Sequence, residues 1–170
     1  MKAGIRELKL GDVDGIIAYF LRLSVAELDQ IGIDGASLKL EDDWTQWFEK
    51  NLYQPLYKVS AYFLVWDIDD AMVGFTFVDR IVYGSDAYLH MYLIQPQLRK
   101  SGYGQKFLQQ SIKTLFDQFK FDQLYCEPSA INTQAQRALQ ACGFKYIKTH
   151  NQSSPDFAYK APLSQWLLIS

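Results

Sequence analysis

A short basic turn with two glycines lies between an apolar run and a long amphipathic stretch, and its residue types suit a pyrophosphate. It reads Arg99-Lys100-Ser101-Gly102-Tyr103-Gly104 and begins three residues after Pro96. Glycines permit positive φ and close backbone approach, so several N–H groups can point into one concavity. The helix that follows adds unpaired N–H groups and a partial positive charge, and Arg99 and Lys100 add two full charges. The spacing differs from that of dinucleotide sites and P-loops.

Two side chains near this turn could exchange protons with a substrate. His90 lies on the strand that leads to the turn, and histidine can gain or lose a proton near neutral pH, directly or through water. It can equally be a strand histidine whose hydrogen bonds are structural. Glu127 follows the next strand and is the competing base, although a solvated strand-end carboxylate is the plainer interpretation.

A second segment, Asn132-Thr133-Gln134-Ala135-Gln136-Arg137-Ala138-Leu139-Gln140-Ala141-Cys142-Gly143-Phe144, has the pattern of a capped helix that ends at glycine. Together with the first turn, it resembles the two motifs of the GNAT family of N-acetyltransferases. These are R/Q-x-x-G-x-G/A after a proline-terminated strand, and Asn-x-x-Ala/Ser-x-Arg-x-Leu-x-x-x-Gly-Phe in the form seen in the RimJ/RimL-like branch. The resemblance covers roughly residues 75–150.

The resemblance implies that acetyl-CoA is the cosubstrate, with its pyrophosphate held by residues 99–104. It also implies that main-chain N–H groups at Tyr92, Leu93 and Ile94 bind the pantetheine and the thioester carbonyl. A β-bulge there would free these N–H groups from the hydrogen bonds of the sheet. Asn132 then has two interpretations, a helix cap or a pantetheine ligand, and one amide can serve as both. Arg137 either reaches a CoA phosphate or forms a surface ion pair.

One position departs from the family pattern. Many members carry a tyrosine, as proton donor to the leaving thiolate, at the position occupied here by Leu139. Substitutes for that acid would be Tyr88, Tyr92, Tyr103 or Tyr125, each also explained by packing. An acyl-cysteine route through Cys126 is disfavoured because no histidine is positioned to activate its thiol.

Composition narrows the class of protein. The chain has 170 residues, enough for one domain with a full core, so residues 1–170 are expected to form a single domain. A net charge of −2 argues against a nucleic-acid surface. There is no run of membrane-spanning length, and two cysteines without C-x-x-C spacing indicate a reduced, cytoplasmic protein with no structural metal.

The hydrophobic pattern predicts the order β-α-α-β-β-β-α-β-α-β-β. Strands are expected at 5–9, 59–66, 72–78, 86–94, 121–127, 144–149 and 157–168, and helices around 14–23, 41–52, 105–119 and 132–141. Mixed hairpins and crossover helices favour a three-layer α/β sandwich, with a mixed, mostly antiparallel sheet covered by helices on both faces. The GNAT resemblance implies the same fold, with a splay between strands 86–94 and 121–127.

The sequence therefore predicts an acetyl-CoA-dependent N-acetyltransferase that works by direct attack in a ternary complex. The alternative is a module that binds or senses acyl-CoA without turnover. The acceptor is expected to be a small-molecule amine or a protein N-terminus, with no nucleic-acid or membrane partner. Exposed strands near the C-terminus could pair in a homodimer.

Overall fold

The computed structural model describes residues 1–38, 41–152 and 159–170. The strands are β1 (Ala3–Glu7), β2 (Ala61–Ile68), β3 (Ala71–Val82), β4 (Asp86–Leu93), β5 (Gln123–Cys126), β6 (Lys145–His150) and β7 (Leu163–Ile169). The α-helices are α1 (Val13–Arg22), α2 (Val25–Ile31), α3 (Glu41–Leu52), α4 (Tyr103–Phe119) and α5 (Thr133–Ala141). Within the described part of the chain, no helix is both long enough and apolar enough to cross a membrane.

The described strands form one seven-stranded sheet in the order β1-β2-β3-β4-β5-β7-β6. Neighbouring strands run antiparallel except β4 and β5, which are parallel and joined through α4. A parallel pair needs such a crossover connection, which a hairpin cannot supply. The mixed, mostly antiparallel sheet expected from the sequence is confirmed.

Helices cover both faces of the sheet, as expected. One face packs against α1, α2 and α3 through a cluster rich in aromatic residues, among them Phe20, Trp44, Phe48, Phe63, Phe75, Phe77 and Tyr92. The other face packs against α4 and α5 through a mainly aliphatic cluster that includes Leu64, Val78, Leu89, Leu108, Ile112, Leu115 and Leu139. Burial of these two apolar faces is the main stabilisation of the three layers.

The element that the sequence prediction missed is α2. Residues 24–57 were expected to hold one helix, yet Val25–Ile31 forms another. Its signal is a capping box: Ser24 Oγ accepts the N–H of Glu27, and Glu27 Oε2 accepts the N–H of Ser24. Gly32 then ends the helix at φ 77°, a conformation that glycine adopts without strain.

Strands β4 and β5 separate within the sheet. Only Asp86, Ala87 and Tyr88 pair with β5, whereas β4 continues to Leu93 and stays paired with β3 on its other edge. One edge of β4 is therefore open from residue 89 onward, which is the splay that the resemblance implied. The open edge leads directly to the turn before α4.

The last predicted strand is shorter than expected. Residues 157 and 158 of the predicted span lie outside the described residues. Tyr159 instead forms an isolated bridge with Ile33, and β7 begins at Leu163. The terminal edge strand β6 exposes Tyr146 and Ile147. Pairing of this edge with a second copy of the chain stays a prediction.

Candidate active site

Of the two glycines in the turn before α4, Gly102 has positive φ and Gly104 does not. Pro96–Leu98 forms a short 3-10 turn, Lys100 has φ 63°, and Gly102 has φ 83° as the N-cap of α4. A lysine in the left-handed region costs about 1–2 kcal/mol of backbone strain. Such strain persists only where the surroundings impose it, which makes this turn a functional candidate.

A cleft of ≈ 560 Å³ opens above this turn and runs along the splay between β4 and α5. Its lining includes Met91, Tyr92, Leu93, Arg99, Lys100, Gly102, Gly104, Asn132 and Arg137. Three of these side chains are cationic. The first N–H groups of the 17-residue helix α4 face the same end. An apolar trough with a positively charged mouth suits a pantetheine arm attached to a pyrophosphate.

The glycines of the turn leave room for a bound group. A Cβ atom built on Gly102 or on Gly104 would meet no atom within 4 Å. The glycines are therefore not required by contacts within the protein. A ligand that approaches the backbone closely would occupy that space.

The main-chain donors on the open edge of β4 differ in part from those expected. The N–H groups of Ile94 and Gln95 both donate to the Val73 carbonyl, at 2.9 and 3.3 Å. Two residues of one strand that face one residue of the next form a β-bulge, which here lies at the end of β4. The Ile94 N–H is therefore hydrogen-bonded within the sheet. Because N–H directions alternate along an antiparallel strand, the groups facing the splay belong to Met91 and Leu93. The N–H of Leu93 thus faces the splay, unlike that of Ile94. Binding of the pantetheine and the carbonyl by Tyr92, Leu93 and Ile94 stays a prediction.

Two residues of the turn, Ser101 and Tyr103, direct their side chains away from the first cleft. Ser101 Oγ donates to the Leu98 carbonyl at 2.5 Å and stabilises the turn from within. The Tyr103 ring stacks on Phe107, and its hydroxyl donates to the sulfur of Met1. Neither side chain lines the cleft. Both belong to the turn through their backbone.

A second cleft of ≈ 760 Å³ joins the first at Tyr19, Gln30, Ile31, Leu93 and Arg99. Its other walls come from α1 and α2, with Asp14, Arg22 and Glu27 among its charged residues. Burial raises the pKa of Tyr19 to about 12, so this hydroxyl stays protonated at neutral pH. Sequence analysis missed these residues because Tyr19 and α2 meet β4 only through the tertiary fold.

His90 lies at the closed end of the splay in a small cavity of ≈ 60 Å³, which Glu127 and Tyr159 also line. Its Nε2 is 2.9 Å from Asp79 Oδ1, and its Nδ1 is 3.0 Å from the Tyr159 hydroxyl. The Tyr159 hydroxyl is also hydrogen-bonded to that of Tyr92. Burial acts to raise the pKa of Asp79, but His90 and Arg80 outweigh it and hold that pKa below its ordinary value.

Glu127, the other predicted base, is held by three side chains. Its Oε1 accepts from His150 Nε2 and from Gln165 Nε2, both at 2.9 Å, and its Oε2 lies 3.5 Å from Arg80 Nη1. The carboxylate is 8% exposed. These contacts join β3, β6 and β7 around the residue that follows β5, which favours a structural role for Glu127. The roles of His90 and Glu127 as base stay predictions.

Comparison with known proteins agrees with this geometry. The family model of the acetyltransferase (GNAT) domain matches residues 3–145. The chain belongs to the GNAT acetyltransferase family. No curated protein sequence matches it.

Solved structures share the fold of this GNAT domain at low sequence identity. The spermidine N-acetyltransferase of Vibrio cholerae, in complex with CoA and spermine, has a TM-score of 0.78 at 14% identity, over 98% of this chain and 95% of that chain. RimL, a ribosomal L7/L12 alpha-N-protein acetyltransferase in complex with CoA, has a TM-score of 0.76 at 13% identity, over 99% and 94%. An aminoglycoside acetyltransferase in complex with CoA has a TM-score of 0.71 at 16% identity, over 99% and 95%.

The second motif of this GNAT domain is α5 with its cap. Asn132 Oδ1 accepts the N–H of Ala135 at 3.2 Å, so the capping role of Asn132 is confirmed, and the residue also lines the first cleft. Arg137 is exposed at the mouth of that cleft. Leu139 is fully buried in the core between α5 and the sheet. The position of the family tyrosine therefore holds a packing residue here.

An acyl-cysteine route finds little support in this GNAT domain. Burial raises the pKa of the Cys126 thiol well above its ordinary value, which disfavours a thiolate nucleophile. In residues 1–38, 41–152 and 159–170, no three His, Cys, Asp or Glu side chains are grouped as metal ligands.

The structural role of Glu127 gives a testable expectation. Glu127→Ala should lower the free energy of unfolding by about 2–4 kcal/mol, because it leaves His150 and Gln165 without their acceptor and leaves Arg80 with Asp79 alone. Urea denaturation followed by fluorescence measures the free energy of unfolding. Asp117→Ala is the matched control, since Asp117 pairs with Lys113 on the exposed face of α4. Equal stability of the two variants would contradict the structural role.

Proposed function

We propose that this protein transfers the acetyl group of acetyl-CoA to a primary amine by direct attack in a ternary complex. The observation that carries the proposal is the cleft that starts at the glycine turn of α4 and ends beside His90. One continuous surface offers an anion site at its mouth, main-chain donors along its wall and a titratable side chain at its end. Membership of the GNAT family supports acetyl-CoA as the cosubstrate.

The chemistry asks three things of the protein. The amine must lose a proton, the thioester carbonyl must be polarised, and the departing sulfur must take up a proton. In the proposed reaction the amine nitrogen bonds to the carbonyl carbon while the carbon–sulfur bond breaks, which yields the N-acetyl product and CoA. The N–H groups of Met91 and Leu93 are placed to polarise the carbonyl, and His90 is the leading base.

Sulfur is a good enough leaving group that a dedicated acid is not essential. If one contributes, Tyr19 is a further candidate, because it lies where the two clefts meet and its hydroxyl is protonated at neutral pH. Of the tyrosines named from sequence, Tyr88 and Tyr125 stack on each other and Tyr103 lies on α4. The Tyr92 hydroxyl is hydrogen-bonded to that of Tyr159 within the His90 cluster.

The acceptor is proposed as a class. Neighbours in fold acetylate spermidine, aminoglycosides or a ribosomal protein N-terminus. The second cleft carries both acidic and basic residues, which is compatible with each of these amines. The RimJ/RimL-like pattern of the second motif favours a protein N-terminus or an aminoglycoside-like amine as the acceptor. The enzyme itself is proposed to be cytoplasmic.

Thiol release tests the proposed function. Acetyl-CoA is incubated with spermidine, kanamycin or a short peptide with a free N-terminus, and free CoA is followed with a thiol reagent. Release that depends on both the amine and the enzyme supports the transferase. Tight binding of acetyl-CoA by calorimetry without release for any amine would favour the alternative, an acyl-CoA-binding module, which the buried Leu139 at the tyrosine position motivates.

The anion site has its own expectation. Gly104→Trp should weaken acetyl-CoA binding about 100-fold, or about 2.7 kcal/mol, because the ring would fill the space above the turn. Isothermal titration calorimetry measures the affinity. Gly11→Trp is the matched control, since its Cβ also meets open space but lies away from the cleft. Unchanged affinity in a folded Gly104→Trp variant would overturn the assignment of this turn to the pyrophosphate.

A further inference from the structure

A chain of four buried polar side chains extends behind the closed end of the splay. It connects Asp79 on β3, His90 on β4, Tyr159 before β7 and Tyr92 on β4. Their exposed fractions are 2%, 7%, 8% and 7%. Buried polar groups are normally hydrogen-bonded, but a chain that ends at a cavity beside a cosubstrate cleft calls for a functional account.

The chemistry of its members sets the direction of this chain. The lowered pKa of Asp79 keeps its carboxylate ionised, so it can only accept, and the proton of the neutral imidazole lies on Nε2 of His90. Nδ1 is then an acceptor, and the Tyr159 hydroxyl donates to it. The Tyr92 hydroxyl in turn donates to Tyr159. Each proton therefore points towards Asp79.

This arrangement separates His90 from an incoming amine. Both ring nitrogens of His90 are engaged, one by Asp79 and one by Tyr159. An amine that contacted His90 directly would have to break one of these hydrogen bonds. Tyr159 lines the same cavity of ≈ 60 Å³, which is large enough for an amino group, and a phenolic oxygen can accept two hydrogen bonds.

The other titratable groups of the cavity are unsuited to the task. Glu127 accepts from His150 and Gln165 and lies beside Arg80. Burial keeps the Cys126 thiol protonated.

We propose that the Tyr159 hydroxyl, backed by His90 and Asp79, is the catalytic group that receives the proton of the acceptor amine. This inference rests on the proposed acetyl transfer. The amine proton passes to the Tyr159 oxygen while the Tyr159 proton passes to Nδ1 of His90. The imidazolium that results stays beside the Asp79 carboxylate, and Tyr159 ends as a neutral phenol. His90 and Asp79 thus act through Tyr159 and are positioning residues.

Tyr159→Phe tests the relay by kinetics. It should lower kcat about 10²-fold with the most active of spermidine, kanamycin and the short peptide, and leave the KM for acetyl-CoA unchanged. A solvent-isotope titration separates this role from a structural one. Wild type should show two protons in transfer, and Tyr159→Phe should show one. Tyr62→Phe is the matched control, because it removes a hydroxyl bonded to Glu7 on the opposite face of the sheet.

The hydrogen-bond chain can also be observed without turnover. The protein has only two histidines in its sequence, so ¹⁵N-histidine NMR resolves His90 from His150. The relay requires the Nε2–H tautomer of His90, and Tyr159→Phe should move the Nδ1 resonance to that of a free ring nitrogen. An Nδ1–H tautomer in wild type, or a kcat of Tyr159→Phe within about threefold of wild type, would overturn the relay. Absence of thiol release by wild type would instead overturn the proposed function, and the relay with it.

Discussion

Asp79→Asn is expected to lower kcat about 10²-fold, within the range that general acid–base catalysis contributes. The carboxylate can only accept a hydrogen bond, so it selects the Nε2–H tautomer of His90. An amide can present its NH₂ group to Nε2 instead, which moves the imidazole proton to Nδ1. Nδ1–H can no longer accept from Tyr159, so the path for the proton is interrupted at its basic end.

Steady-state kinetics with saturating acetyl-CoA measure this effect, and ¹⁵N-histidine NMR reports the tautomer. Acetyl-CoA affinity should stay within about twofold, or about 0.4 kcal/mol, because Asp79 does not line the cosubstrate cleft. Asp67→Asn is the matched control, since that carboxylate also pairs with an arginine, Arg6, on β1. An Asp79→Asn variant with an inverted tautomer and wild-type kcat would show that His90 takes no part in the proton transfer.

Gly74→Ala should lower the free energy of unfolding by about 3 kcal/mol, the upper range for overpacking in a core. Gly74 lies on β3 opposite Leu93 of β4. A Cβ atom there would lie 2.5 Å from Cε3 of Trp66 and 2.7 Å from the Tyr92 carbonyl oxygen. The indole ring is itself stacked on Phe107 at 5.4 Å, so it has little room to retreat, and β4 must move instead.

Urea denaturation gives the stability, and calorimetry gives the acetyl-CoA affinity. Both should fall together, because a shift of β4 at Leu93 displaces the main-chain donor that faces the splay. Gly4→Ala provides the comparison on β1, where an added Cβ meets no atom within 4 Å and the free energy of unfolding should barely change. Loss of stability at Gly4 as large as at Gly74 would contradict this account, because the added methyl group at Gly4 meets no neighbour that could cause it.

Local patterns in the sequence were sufficient for much of the fold. Apolar residues at helical spacing predicted α1, α3, α4 and α5, and β-branched and aromatic runs predicted β2, β3 and β4 within a few residues. These signals are local because each element buries one face against the same core. The same holds for the glycine turn and the Asn132 cap, in which backbone conformation and capping depend on neighbouring residues.

The sequence by itself thus determined the layered α/β sheet, the two GNAT motifs and the glycine turn before α4, where we propose the anion site. Only the tertiary structure decided what surrounds His90, since Asp79 and Tyr159 are 11 and 69 residues away from it along the chain. It also decided that Glu127 accepts hydrogen bonds from His150 and Gln165, and that the Ile94 N–H donates to the Val73 carbonyl. Proton transfer depends on contacts between distant segments, and such contacts carry no periodicity that a sequence pattern can reveal.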